Sequence, residues 1–410
     1  MPLCILNKSY DTNLSSHAFK FLSLLKFITM KFNTKVIHGG QHHDPSTGAV
    51  MPPVYNTSTF AQKSPGVPIN HYEYSRAANP TRQALEDALA SIENGVRGLA
   101  FSSGLAATDS VLKLLKPGDE VIAMDDLYGG TYRMFSRIYA DFGIKFHFVD
   151  MTDLTTFKSL INANTKLIWV ETPTNPLMKL ADIAAIAQIT KENKLLFAVD
   201  NTFATPYLQK PLDLGADIVM HSATKYLGGH SDVIAGALIV KDAELGEKLH
   251  FAQFATGGTL GPQDSYMVLR GIKTLHLRVQ RHCENGMKVA DFLSNHPDVD
   301  QVFYPGLPNH PNHAIAKKQM IGGFGGMVSF TFKSGKKEDS VSFLEKLKVF
   351  TLAESLGGVE SLANHPALMT HASIPADKRK AVGITDDLVR LSVGVEDITD
   401  LLADIEQAFR

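Results

Sequence analysis

Cysteine is nearly absent from this chain of 410 residues. Two occur, Cys4 and Cys283, far apart and forming neither a disulfide framework nor the paired spacing of a zinc site. Such usage suits a reducing compartment, and the expected location is cytoplasmic. Excess charge of one sign is missing too: 40 Lys and Arg stand against 42 Asp and Glu, a net charge of −2. That balance gives no reason to expect nucleic acid or an acidic membrane surface as partner. No apolar stretch approaches the roughly 20 residues needed to cross a bilayer. The His42-His43-Asp44 run and the His310, His313 pair gather no third and fourth ligand, so no metal is expected. A Walker-type Gly-Lys-Ser/Thr and a Gly-x-Gly-x-x-Gly after the first strand are also lacking, which weakens nucleotide readings.

The first 29 residues read as a leader, disordered or mistranslated, with Met30 as the functional start. The apolar run from Phe19 to Ile28 is broken by Lys26 and no small-residue cleavage site follows. Residues 30–80 are rich in Pro, Gly, Asn and Tyr with little periodicity, and read as an extended N-terminal arm. From Pro80, Leu85, Ala88, Leu89 and Ile92 recur at helical spacing until Asn94-Gly95 stops the helix. Short apolar runs then alternate with helical stretches: Gly98 to Phe101, Glu120 to Met124, Lys145 to Val149, Lys166 to Val170, Leu195 to Val199, Ile218 to Met220 and Val233 to Val240. Unbroken apolar strands separated by helices predict an α/β domain over 81–270, with a mostly parallel seven-stranded sheet covered on both faces. A long helix over Leu275 to Leu293 leads into a smaller α+β domain over 271–410. Its expected strands are Gly325 to Phe332, Val349 to Leu352 and Leu388 to Val393, closed by an amphipathic helix from Asp397 to Phe409.

Ligands of open α/β sheets bind beyond the carboxyl ends of the strands. Here those ends carry Ser102-Ser103-Gly104, Asp125-Asp126, Glu171 to Asn175, Asp200 and Ser222 to Lys225. Ser102 to Thr108 follows a strand and opens a helix, where small residues and free N–H groups favour a phosphate; an ordinary serine N-cap would look the same. Lys225 would be a surface amine in most contexts. Behind Ser222 and Thr224 at the end of a buried strand, it would be desolvated and nucleophilic enough for Schiff-base chemistry. Asp200 closes an apolar strand one α/β unit earlier, well placed to hold a pyridinium N–H rather than merely to cap a helix. Pyridoxal phosphate (PLP) is the cofactor with both requirements. Tyr128, before two glycines, could stack on a flat ring. Arg390 is a charge inside an apolar strand, where burial without a partner is costly; a carboxylate ligand is its natural partner. Tyr74 and Arg76 lie in the arm, within reach of a phosphate on another subunit.

The motifs Tyr74 to Arg82, Ser103 to Ala107, Glu171 to Pro176, Val199 to Thr202, His221 to Tyr226 with Gly229 to Asp232, and Ala353 to Ser361 resemble the PLP-dependent trans-sulfuration enzymes. These are the cystathionine γ-lyase, γ-synthase and β-lyase group, and the resemblance spans about Lys35 to Phe409. It implies PLP fold type I, the aspartate-aminotransferase-like fold. It further implies that Lys225 carries the cofactor as a Schiff base and then shuttles protons, while Asp200 holds the pyridine nitrogen and Tyr128 stacks on the ring. Gly104, Leu105, Ser222 and Thr224 would bind the phosphate, joined by Tyr74 and Arg76 of the neighbouring subunit in a homotetramer built as a dimer of dimers. Asn175, Ser355 and Arg390 would receive a small amino-acid substrate, and Glu354 its distal amino group. Gly130 stands where methionine γ-lyases carry a cysteine, and Glu354 where β-lyases often carry a bulky residue. The favoured reading is γ-lyase, with γ-synthase as the alternative. A non-catalytic PLP-binding protein on the same fold is the reading from another class, since fold does not fix function.

Overall fold

A computed structural model describes residues 30–372 and 374–410. The predicted leader lies outside the described residues, as does Cys4. Among the described residues the dominant feature is a seven-stranded sheet. Its order is Arg97–Phe101, Gly236–Val240, Ile218–Ser222, Leu196–Asp200, Thr165–Glu171, Glu120–Met124 and Lys145–Val149. The strands from Ile218–Ser222 through Lys145–Val149 are mutually parallel. Gly236–Val240 runs antiparallel to both of its neighbours. It is buried on both faces, with every residue enclosed. Such a strand shows no alternation, so its sequence carries no mark of its direction.

Helices cover both faces. On one side Leu99, Val111, Ile122, Trp169, Ile186 and Phe197 form a continuous apolar layer. On the other, Leu89 and Ile92 of the helix Pro80–Glu93 pack with Val268, Leu275 and Val279 against Val219 and Ile239. That helix starts where Asn79 Oδ1 accepts from the Thr81 and Arg82 N–H groups. It ends at Asn94, in the left-handed conformation at φ 59°.

A second sheet runs Val299–Phe303, Met327–Phe332, Val389–Ser392, Leu362–Asn364 and Thr351–Leu352. Its Phe330 and Leu391 pack in one apolar cluster with Phe343 and with Leu401 and Ile405 of the closing helix Ile398–Phe409. The helix Leu275–Ser294 joins the two layers. The arm departs from the expected irregular chain. Phe32–His38 is helical, because Val36 is fully buried against the Leu85 to Ile92 face. A small hairpin pairs Gln62–Ser64 with Val67–Pro68.

Candidate active site

The ends of four parallel strands and the second sheet enclose a cavity of about 720 Å³. Gly104, Leu105, Tyr128, Asn175, Asp200, Ser222, Thr224, Lys225, Glu354, Ser355 and Arg390 all line it. Tyr74 and Arg76 do not. The Arg76 guanidinium lies over the rings of Tyr74 and Phe254, 5.4 and 5.2 Å from their centroids, and Tyr74 is 46 % exposed. The neighbouring Arg82 is buried in a structural role. It donates to the Ser75 and Ala77 carbonyls and pairs with Glu86 at 3.5 Å.

Lys225 follows the strand Ile218–Ser222, and its Nζ donates to Ser355 Oγ at 2.9 Å. Burial lowers its amine to about 8, the Arg390 guanidinium pushes the same way, and Glu354 opposes. Ser355 holds a positive φ of 100°, a conformation few non-glycine residues adopt. Its carbonyl accepts from Arg390 Nη2 at 3.0 Å. Arg390 Nη1 donates to Asn175 Oδ1 at 2.6 Å, while its buried Nε has no hydrogen-bond partner among the described residues. Arg390 is 1 % exposed, and burial brings its guanidinium down to about 10. No carboxylate among the described residues lies within ion-pairing distance of it. A buried cation held by neutral oxygens alone is suited to receive an anion.

Asp200 ends its strand with Oδ1 accepting from the Thr202 N–H at 3.0 Å and from the Thr202 hydroxyl. Thr202 Oγ1 in turn accepts from the Ser222 N–H at 2.9 Å, linking the two strand ends. Burial raises the Asp200 carboxyl; the Thr202 bonds and the nearby His221 oppose it. His221 is held by Glu93 Oε1 at 2.6 Å. Around the mouth, Ser103 Oγ accepts from Ala106 N–H at 3.1 Å and caps the helix Gly104–Leu112. A Cβ on Gly104 would stand 3.1 Å from Ser222 Cβ, so glycine allows the helix start and the Ser222 strand end to close up. The Thr224 hydroxyl is engaged with the Ala235 main chain, donating at 3.1 Å.

Tyr128 is 42 % exposed at the cavity wall, and its N–H donates to Glu171 Oε2 at 2.9 Å. A Cβ on Gly130 would come within 2.4 Å of Tyr128 Cε1, so glycine there leaves room for this ring position. Sequence reasoning missed three contributors. Glu171 was visible as a strand-end acid but given no task. Thr202 falls inside the Val199 to Thr202 motif, with no role of its own marked by the sequence. His371 gave no signal: buried and lowered to about 4, it contacts the Asn175 carbonyl through Nε2 at 3.0 Å. Burial comes first among the causes, with Arg390 repelling its charged form. Among the described residues no group of His, Cys, Asp or Glu is arranged to hold a metal.

These residues fit pyridoxal phosphate. A desolvated amine faces a cavity closed by a carboxylate whose second oxygen is not spent on Thr202, and a serine-capped helix start offers N–H groups to a phosphate. The profile of the "Cys/Met metabolism PLP-dependent enzyme" family matches residues 33–410. A protein named cystathionine beta-lyase from Coxiella burnetii is 56% identical over 378 residues, covering 92% of this chain and 97% of that one. One named cystathionine gamma-synthase from Mycobacterium bovis is 52% identical over 376 residues, covering 92% and 96%. The solved structure of cystathionine gamma-lyase from Lactobacillus plantarum, complexed with L-serine, superposes with a TM-score of 0.90 at 51% identity, covering 93% and 98%. The chain therefore belongs to the Cys/Met metabolism family of PLP-dependent enzymes, and pyridoxal phosphate is its cofactor.

Proposed function

We propose that this enzyme is a cystathionine γ-lyase, splitting cystathionine with one water into cysteine, 2-oxobutyrate and ammonia. The observation that carries the reading is the Lys225 amine set between Ser355 and Arg390, with Glu354 on the same cavity wall. When bound, the cofactor supplies an electron sink for the carbanion formed at substrate Cα. The protein does the rest. Arg390 and Asn175 hold the substrate α-carboxylate. Lys225 Nζ takes the proton from Cα and returns one farther along the chain, which a base lowered to about 8 can do near neutral pH. Asp200 would hold the ring nitrogen with its carboxylate and favour its protonated form, and Tyr128 would stack on the ring. Glu354 meets the distal ammonium of cystathionine. Tyr74 and Arg76 would hold the cofactor phosphate of a neighbouring subunit in a homotetramer.

Two other reactions use the same machinery, and named relatives carry both. In γ-synthase chemistry an O-acylhomoserine and cysteine give cystathionine; in β-lyase chemistry cystathionine gives homocysteine, pyruvate and ammonia. Purified holoenzyme supplied with cystathionine alone should release 2-oxobutyrate and cysteine. Pyruvate with homocysteine would make it a β-lyase. Cystathionine accumulating from cysteine and O-acetyl- or O-succinylhomoserine, without 2-oxobutyrate in the first assay, would make it the synthase.

A further inference from the structure

Glu171 is a buried carboxyl inside the cavity that the reaction above does not use. It closes the strand Thr165–Glu171 in register with Asp200 of the next strand, so both side chains leave the sheet on one face. Both line the cavity and both are nearly inaccessible. The charged groups facing Glu171 are Asp200 and Asp126, which repel its anion, and Arg390, which opposes them more weakly. No cation among the described residues comes within 4.0 Å of it. Two adjacent buried carboxyls cannot both ionise cheaply, and their hydrogen bonds decide which one does. Asp200 has the Thr202 hydroxyl and N–H and the field of His221. Glu171 accepts one hydrogen bond among the described residues, from the Tyr128 N–H, and the uncharged acid accepts that bond through its carbonyl oxygen.

Tyr128 leads into the helix Gly129–Met134 with no side-chain cap of its own. Its ring is half in solvent, so the ring's place over the cavity depends on its backbone. We propose that Glu171 is a positioning residue: as a neutral carboxylic acid it pins the Tyr128 N–H, setting the ring over the cofactor plane and leaving the pair's negative charge on Asp200. This rests on the cofactor cradle described above and is independent of which sulfur substrate is turned over.

The test compares wild type with Glu171→Gln, which keeps an acceptor and cannot ionise, and Glu171→Leu, which keeps the bulk and loses the acceptor. Three readouts decide: the infrared carboxylic-acid C=O stretch of the apoprotein near neutral pH, the PLP dissociation constant, and the visible circular dichroism of bound cofactor. Glu86, raised by burial to about 7, contributes a stretch of its own, so the wild-type-minus-Glu171→Gln difference spectrum is read, and one carboxylic-acid band is expected in it. The dissociation constant should stay within about twofold in Glu171→Gln and rise about tenfold in Glu171→Leu, the cost of one orphaned buried N–H. The dichroism should weaken in Glu171→Leu alone. A difference spectrum without that band, a Gln chain as damaged as the Leu chain, or a Leu chain that binds cofactor normally would each overturn the assignment. Should Glu171→Leu fail to fold, the stretch and the Gln chain still decide. None of these readouts turns over substrate, so failure here is distinct from failure of the lyase reading.

Discussion

At the scale of single residues, Lys225 makes the sharpest statement. Its amine reacts with an aldehyde only when neutral, and burial beside Arg390 brings that amine from the ordinary lysine range down to about 8. A lowered base is neutral at lower pH. The rate at which apoprotein captures PLP should therefore climb with pH and level off just above pH 8, followed by visible absorbance after mixing. Glu354 favours the charged amine, so Glu354→Gln should move this midpoint to lower pH. A rate still climbing near pH 10, as for an ordinary lysine with a pKa of roughly 10.4, would contradict the desolvated placement. The sequence made Lys225 and Asp200 legible because polar groups at the buried ends of apolar strands need a reason to be there. Arg390 was legible for the same cause, a charge amid Leu388, Val389 and Leu391. His371 was not: it sits in a loop without periodicity and reaches the Asn175 carbonyl only through the folded chain. The pairing of Glu171 with the Tyr128 N–H was equally hidden, since a main-chain donor leaves no trace in residue identity.

Among elements, the helix Gly104–Leu112 links stability to binding. Ser103 caps it with one side-chain bond, and the same first turn faces the cavity. Ser103→Ala should cost the apoprotein about 1 kcal/mol of stability, the usual worth of such a cap. It should also weaken PLP binding, since frayed N–H groups no longer converge on the phosphate. Denaturant melts of the apoprotein and a cofactor titration measure the two effects; a cap that changes neither plays no part in the cradle. The strands of the large sheet were legible as apolar runs, although the expected run from Val233 shortens to Gly236–Val240. Those of the second sheet were less so. Val299–Phe303 is an edge strand with Asp300 and Gln301 exposed, and Leu362–Asn364 and Thr351–Leu352 span three and two residues. Segments that short carry too few side chains for a period to show: Leu362–Asn364 is placed by the strand Val389–Ser392 beside it, and Thr351–Leu352 by Leu362–Asn364 in turn.

For the whole molecule, the question is where the arm acts. Tyr74 and Arg76 do not line the cavity of their own chain; the Arg76 guanidinium lies over the rings of Tyr74 and Phe254 instead. Three explanations separate cleanly: the pair serves the site of a neighbouring subunit, the site of its own chain, or none. Consider Lys225→Ala and Arg76→Ala chains, each nearly inactive alone. In a mixed pair of subunits one site receives both defects. The other receives Lys225 from one chain and Arg76 from the second, and is whole. Random exchange makes half of the pairs mixed with one good site in each, so about a quarter of wild-type activity should return. Denaturing and refolding the two variants together, against each refolded alone, measures this directly. If Arg76 worked within its own chain, no hybrid site would carry both residues and mixing would restore nothing. If it served no site, the Arg76→Ala chain would be active from the start. Recovery near a quarter therefore identifies both the shared site and the direction of sharing, since only an Arg76 supplied across the interface can repair a site whose own chain supplies Lys225.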